Sequence, residues 1–201
     1  MGRILLVRHG QSEWNAEGRW QGQADIPLTD LGRKQAQMAA AKLGMFAVAA
    51  SSTLARAAET AHIVCSELGI GPIIPVPELV ERSAGEWSGL TRDDIRRDWP
   101  GYLEDDKRPP SYELDDALWP RLVAGLTIVS DMLEREDEAI VFAHGGLIYL
   151  IEERSGQKRG RMPNLGALWL NVTEEGEVLA GARVSLIDEG ELTSAQSDQI
   201  L

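Results

Sequence analysis

The sequence predicts a three-layer α/β/α sandwich built on a mainly parallel central sheet. Short apolar runs alternate with helical segments of a dozen or more residues, the pattern of strands joined by crossover helices and covered on both faces. Two of those runs, Ile4-Leu5-Leu6-Val7 and Ala139-Ile140-Val141-Phe142-Ala143, pass almost at once into a His-Gly pair, His9-Gly10 and His144-Gly145. A chain of 201 residues has room for one domain with a sizeable core.

Ile4 to Val7 is too short for a helix and reads as a buried strand, after which Gly10 frees the backbone to turn. Residues 21–28 have no period and read as a loop. Thr29 then caps a helix that runs through Gln35, Met38, Ala39 and Leu43 and stops at Gly44. Phe46 to Ala50 is the next strand. Ser51-Ser52-Thr53 offer hydroxyls to start a helix from about Leu54 to Leu68, closed by Gly69. Ile73 to Val76, interrupted by Pro75, fits an edge strand.

Residues 81–112 are less regular, with a short helix near 92–98 and a Pro- and charge-rich stretch from Asp105 to Tyr112 expected to be a mobile cover. A long helix over 114–135 places Leu118, Leu122, Leu126, Val129 and Leu133 on one stripe. The strand Ala139 to Ala143 follows, then a helix from about Leu147. Ala167 to Val172 and Val178 to Val184 are two late strands joined by a turn at Glu174-Glu175-Gly176. The expectation is a single domain over 1–187 with its cover near 91–116. The acidic, polar tail 188–201 is expected to be disordered.

A hydrophobic fraction of 43% and a charged fraction of 26% are those of a soluble globular protein. No apolar run approaches the roughly 18 residues that would cross a bilayer, and the amino terminus lacks the long apolar region of a signal peptide, so a cytoplasmic protein without membrane partners is expected. A net charge of -12 argues against nucleic acid as a partner, which needs a basic surface. An anion bound by such a chain must sit in a local pocket. The single cysteine, Cys65, rules out an intrachain disulfide and a cysteine metal cage, and its place among Ala61, Val64 and Leu68 reads as a buried, inert thiol.

If both His-Gly strands are central and parallel, His9 and His144 meet at one edge of the sheet, where open α/β sheets bind ligands. Arg8 arrives beside His9, and Arg56 falls in the first turn of the second long helix, where backbone amides already favour an anion. Two guanidiniums and two imidazoles suit a tetrahedral phosphoryl group, because the planar fork of arginine binds two oxygens.

Five segments carry a resemblance, in order along residues 1–150. They are Arg8-His9-Gly10-Gln11-Ser12-Glu13-Trp14-Asn15, Gln21-Gly22 with Asp25 to Thr29, Ser51 to Ala61, Glu81 with Gly85, Trp87 and Gly89-Leu90-Thr91, and Ala143-His144-Gly145-Gly146. Together they resemble the histidine phosphatase superfamily, the phosphoglycerate mutase-like proteins. The resemblance implies a phosphoglycerate mutase-like fold and an enzyme in which His9 takes the phosphoryl group on a ring nitrogen. It assigns Arg8, Arg56 and His144 to stabilising the phosphoryl oxygens, Asn15 to a further contact, and Gln21, Gly22 and Gly145 to the surrounding phosphate-binding turns. Glu81 matches the proton donor to the leaving alcohol, although Glu78 and Glu86 lie close enough in sequence to compete for that place. The scheme needs neither metal nor cofactor, and the implied partner is a small phosphorylated metabolite. A homodimer is left open.

The departures favour a phosphatase over a cofactor-dependent phosphoglycerate mutase. The cover is short, and Gly145-Gly146 follows the second histidine where mutases place Asn after His-Gly. Against this, Glu81-Arg82 resembles the mutase form. Ser111-Tyr112-Glu113-Leu114 replaces the Gly-Glu-Ser segment common before the long helix. Substrate choice is expected to sit in the cover, at Arg82, Trp87, Trp99 and Tyr102. A metallohydrolase is disfavoured because the three histidines form no ligand-spaced pair. A phosphate-binding regulatory module without turnover is the other alternative.

Overall fold

The structure is a computed structural model and describes residues 2–157 and 160–187. The expectation of disorder for 188–201 lies outside the described residues. Six strands form one sheet: β1 (Arg3–Arg8), β2 (Val48–Ser51), β3 (Ile73–Pro75), β4 (Glu138–Ala143), β5 (Gly166–Val172) and β6 (Val178–Ser185), in the order β3-β2-β4-β1-β5-β6. The first four in that order are parallel, β5 pairs antiparallel with β1, and β6 pairs antiparallel with β5, so β5 runs against the other five. β1 and β4 are adjacent and in register from Arg3 opposite Glu138 to Arg8 opposite Ala143, so the residues that follow, His9 and His144, leave the sheet side by side.

The apolar residues of β1 and β4 divide by alternation between two cores, as the period of two requires. Ile4, Leu6, Val141 and Ala143 face one layer with Leu118, Leu122, Leu126 and Ile151. Leu5, Val7, Ile140 and Phe142 face the other with Ala36, Ala39, Val64 and Cys65. The first layer comprises α5 (Asp115–Ser130) and α6 (Gly145–Arg154), and the second α2 (Asp30–Ala40) and α3 (Ala55–Leu68). A third, smaller cluster of Trp20, Ala84, Trp87, Ile95 and Tyr112 lies under α4 (Arg92–Asp98) and the cover segment. Tyr112 at its end is buried, so the stretch expected to be a loose cover is anchored on its own aromatic core.

Several boundaries differ for identifiable reasons. A helix not foreseen, α1 (Glu13–Glu17), follows β1; Ser12 caps it and Asn15 completes a capping box. The long helix ends at Ser130 rather than 135. α6 begins at Gly145 rather than Leu147, with His144 as its cap residue. Two glycines are poor helix formers, but here the amide of Gly146 is given to Glu81. Nor do the serines cap α3. Its cap residue is Leu54, and Asp25 from the preceding loop accepts the Ala55 amide at 2.6 Å.

Candidate active site

His9 and His144 lie with ring centroids 5.3 Å apart at the carboxyl ends of β1 and β4. The His9 ring is fixed at both nitrogens. Nδ1 donates to the Gly10 carbonyl at 2.6 Å, which leaves the Nε2 lone pair to accept from Nε of Arg56 at 3.2 Å. Burial, with repulsion from Arg56 and Arg8, holds His9 well below the ordinary imidazole value of 6.5. The base is therefore neutral at pH 7. His144, wholly buried, pairs Nε2 with the Ser52 hydroxyl at 2.8 Å, and its Nδ1 has no partner among the described residues. Burial and the nearby Arg56, His9 and Arg8 keep it uncharged as well.

Arg56 stands in the first turn of α3 and is wholly buried. Its terminal nitrogens donate to the carbonyls of Ala24 at 2.7 Å and Gly22 at 2.8 Å. Gly22 adopts φ +52, which favours glycine, and a Cβ there would press on Ala84. Arg8 donates Nη1 to the Met162 carbonyl at 2.5 Å, and its Nε has no partner among the described residues. Burial lowers both guanidiniums to about 10, so both stay charged at neutral pH. They bond to carbonyls and to His9 rather than to carboxylates. Two buried cations with that set of partners make an anion cup.

Asn15 and Gln21 line the same cup. Asn15 Oδ1 accepts from the Ser12 amide at 3.3 Å and from Asn164 Nδ2 at 3.2 Å, while Gln21 Oε1 accepts from the Ser12 hydroxyl at 2.8 Å. Glu81 is buried at the rim. Its carboxylate accepts the Arg82 amide at 2.7 Å and the Gly146 amide at 3.0 Å, in the first turn of α6. A Cβ on residue 146 would overlap Glu81 Oε1, so the second glycine admits the carboxylate. Glu86 is exposed and bonded to Ser111, and Glu78 does not line the cup. Of the three candidate acids, Glu81 shares the lining of the cup with His9.

Sequence reasoning missed several contributors. Ser52 orients His144, Asp25 caps the helix that carries Arg56, and Asn164 also donates to the His9 carbonyl at 2.9 Å. Arg121 of α5 grips the loop that bears Glu81, donating to the carbonyls of Glu78 and Val80 at 2.7 Å each and Glu81 at 3.0 Å. Glu113 holds Arg121 through contacts of 2.7 and 2.8 Å. No local pattern in the sequence marks such a clamp. Of the proposed specificity residues, Arg82 lines the outer vestibule, whereas Trp87, Trp99 and Tyr102 pack in the aromatic cluster.

Among the described residues no three metal-ligating side chains converge, and the two histidines face guanidiniums, which repel a cation. No described helix is long and apolar enough to cross a membrane.

Comparison with known proteins agrees with this geometry. The chain is 35% identical over 173 residues to a 2,3-bisphosphoglycerate-dependent phosphoglycerate mutase of Nitrobacter winogradskyi, covering 77% of this chain and 83% of that one. It is 31% identical to an uncharacterized phosphatase, PhoE, of Bacillus subtilis, covering 78% and 79%. A mycobacterial glucosyl-3-phosphoglycerate phosphatase, solved with VO3, superposes with a TM-score of 0.77 at 29% identity, over 90% of this chain and 97% of that one. The profile of the histidine phosphatase superfamily, branch 1, matches residues 4–178, and the chain belongs to that superfamily.

Proposed function

We propose that the protein is a metal-independent phosphatase of phosphate monoesters that works through a phosphohistidine on His9. The observation that carries this reading is the His9 ring, neutral and locked by Gly10 so that Nε2 presents its lone pair between Arg56 and the cup. Nε2 forms a bond to phosphorus as the ester P–O bond breaks in line with it, and Glu81 passes a proton to the departing alcohol oxygen. Arg8, Arg56 and His144 stabilise the equatorial oxygens. Water then gives a proton to the Glu81 carboxylate and attacks phosphorus, and the N–P bond breaks.

A mutase would use the same first half and return the phosphoryl group to a second hydroxyl. The name of the Nitrobacter relative favours that reading. Hydrolysis is favoured here because a broad vestibule of about 790 Å³ adjoins the cup at Tyr149, offering water a route to a phosphohistidine.

Phosphate release from a panel of monoesters, with and without chelator, tests the proposal against His9→Ala. Release should persist with chelator and vanish in the variant, and an acid-labile phosphoryl adduct should map to His9 in the wild type. Unchanged release by His9→Ala would remove the nucleophile assignment. Isomerisation of 3-phosphoglycerate with negligible phosphate release would make the protein a mutase.

A further inference from the structure

We propose that the alcohol part of the substrate is a large, uncharged, hydroxyl-rich group held in the vestibule between the start of α5 and α6. The inference rests on the phosphatase reading and names its substrate class. Its starting point is where the leaving oxygen goes. Glu81 is bonded to the Gly146 amide, and Gly146 lines the vestibule, while Tyr149 lines vestibule and cup alike. An oxygen that takes its proton from Glu81 therefore departs into that space. A volume of about 790 Å³ is far more than a two- or three-carbon alcohol fills and lies in the range of roughly 300–1,000 Å³ typical of sites for larger ligands.

The charges of the wall decide what fills it. Arg82 faces Asp115 at 2.5 Å, Arg108 faces Asp106 at 2.7 Å and Arg154 faces Asp116 at 3.0 Å. With Arg161 and Glu153, which also line it, cations and carboxylates balance four to four among the described residues. The cup is built differently: Arg8 and Arg56 bond to carbonyls and to His9, as a site for a free anion requires. A second phosphate or a carboxylate entering the vestibule would meet four carboxylates and compete with three of them for arginine. A hydroxyl does neither. It donates to the aspartate and accepts from the guanidinium of one pair without parting them. Tyr112 orders this wall, since the guanidiniums of Arg82 and Arg108 each lie 5.5 Å from its ring centroid.

The test compares kcat/KM for glycerol phosphate, 3-phosphoglycerate, a hexose phosphate and a disaccharide phosphate, with p-nitrophenyl phosphate as an activated reference. The expected order rises about tenfold or more from glycerol phosphate to the sugar phosphates, with 3-phosphoglycerate below glycerol phosphate. In the double variant Asp115→Asn, Asp116→Asn, KM for the disaccharide phosphate should rise about tenfold and the handicap of 3-phosphoglycerate should shrink. If 3-phosphoglycerate or a bisphosphate is turned over better than the neutral esters while the aryl phosphate is hydrolysed through His9, this proposal falls and the phosphatase reading stands. If no ester is hydrolysed and His9 takes no phosphoryl group, both fall together.

Discussion

Nε of Arg56 donates to Nε2 of His9 across 3.2 Å, so the atom proposed to attack phosphorus is held by the cation proposed to bind the phosphate. A phosphoryl oxygen that takes the Arg56 hydrogen frees the lone pair at the moment substrate is in place. Arg56→Lys keeps the charge but loses the planar fork that also reaches the Gly22 and Ala24 carbonyls. Its kcat/KM should fall by about 10²–10³ on every ester, in proportion to a lost transition-state donor. A loss below tenfold in steady-state kinetics would show that charge alone is enough.

Acidity should act on stability through the two histidines. Both are held well below 6.5, so the unfolded chain binds protons near that pH that the folded chain refuses. Stability is then complete above about pH 7 and declines as the pH drops through the ordinary imidazole range. Urea midpoints should be level from pH 8 to 7 and decrease from 7 to 5.5, with a shallower slope in His9→Gln. A midpoint that rises on acidification would contradict the burial of both rings.

Gly146→Ala should cost activity without unfolding the chain. The added methyl occupies the place of Glu81 Oε1, so the carboxylate must swing away from the α6 amide. We expect kcat on alkyl phosphates to fall about tenfold to 10²-fold, the scale of a displaced general acid, and much less on p-nitrophenyl phosphate, whose leaving group needs no proton. Equal losses on the two classes would separate Glu81 from proton transfer.

Arg121 does not itself line the cup yet fixes the backbone on both sides of Glu81. Arg121→Met should lower kcat on alkyl phosphates by about 10²-fold at nearly constant KM, and Arg121→Lys should recover part of it. A purely structural role would instead lower the melting temperature and depress turnover of alkyl and aryl esters alike.

What could be read from the chain was what depends on local pattern. Unbroken apolar runs at Ile4–Val7 and Ala139–Ala143 marked buried strands, and their shared His-Gly ending would bring two imidazoles to one sheet edge if the strands were central and parallel; they are adjacent, and the rings lie 5.3 Å apart. Arg56 followed from its place in a helical first turn. The supports of these residues were hidden because each is a side chain reaching across the fold. Ser52 looked like a helix cap and instead bonds His144, 92 residues away. Arg121 carries no local signal within the long helix, yet it binds carbonyls about 40 residues earlier. Asn164, just before the first of the late strands, braces the His9 carbonyl 155 residues distant.

The aromatic nucleus of Trp20, Trp87, Ile95 and Tyr112 stands apart from both cores that clamp the sheet. The segment carrying α4 and the arginine-lined wall of the vestibule is consequently ordered by contacts of its own, while the histidines are ordered by the sheet. Lengthening, trimming or exchanging that wall leaves the strand ends that hold His9 and His144 untouched. Within one lineage, the appetite for a particular alcohol can thus drift while the phosphorus chemistry stays constant.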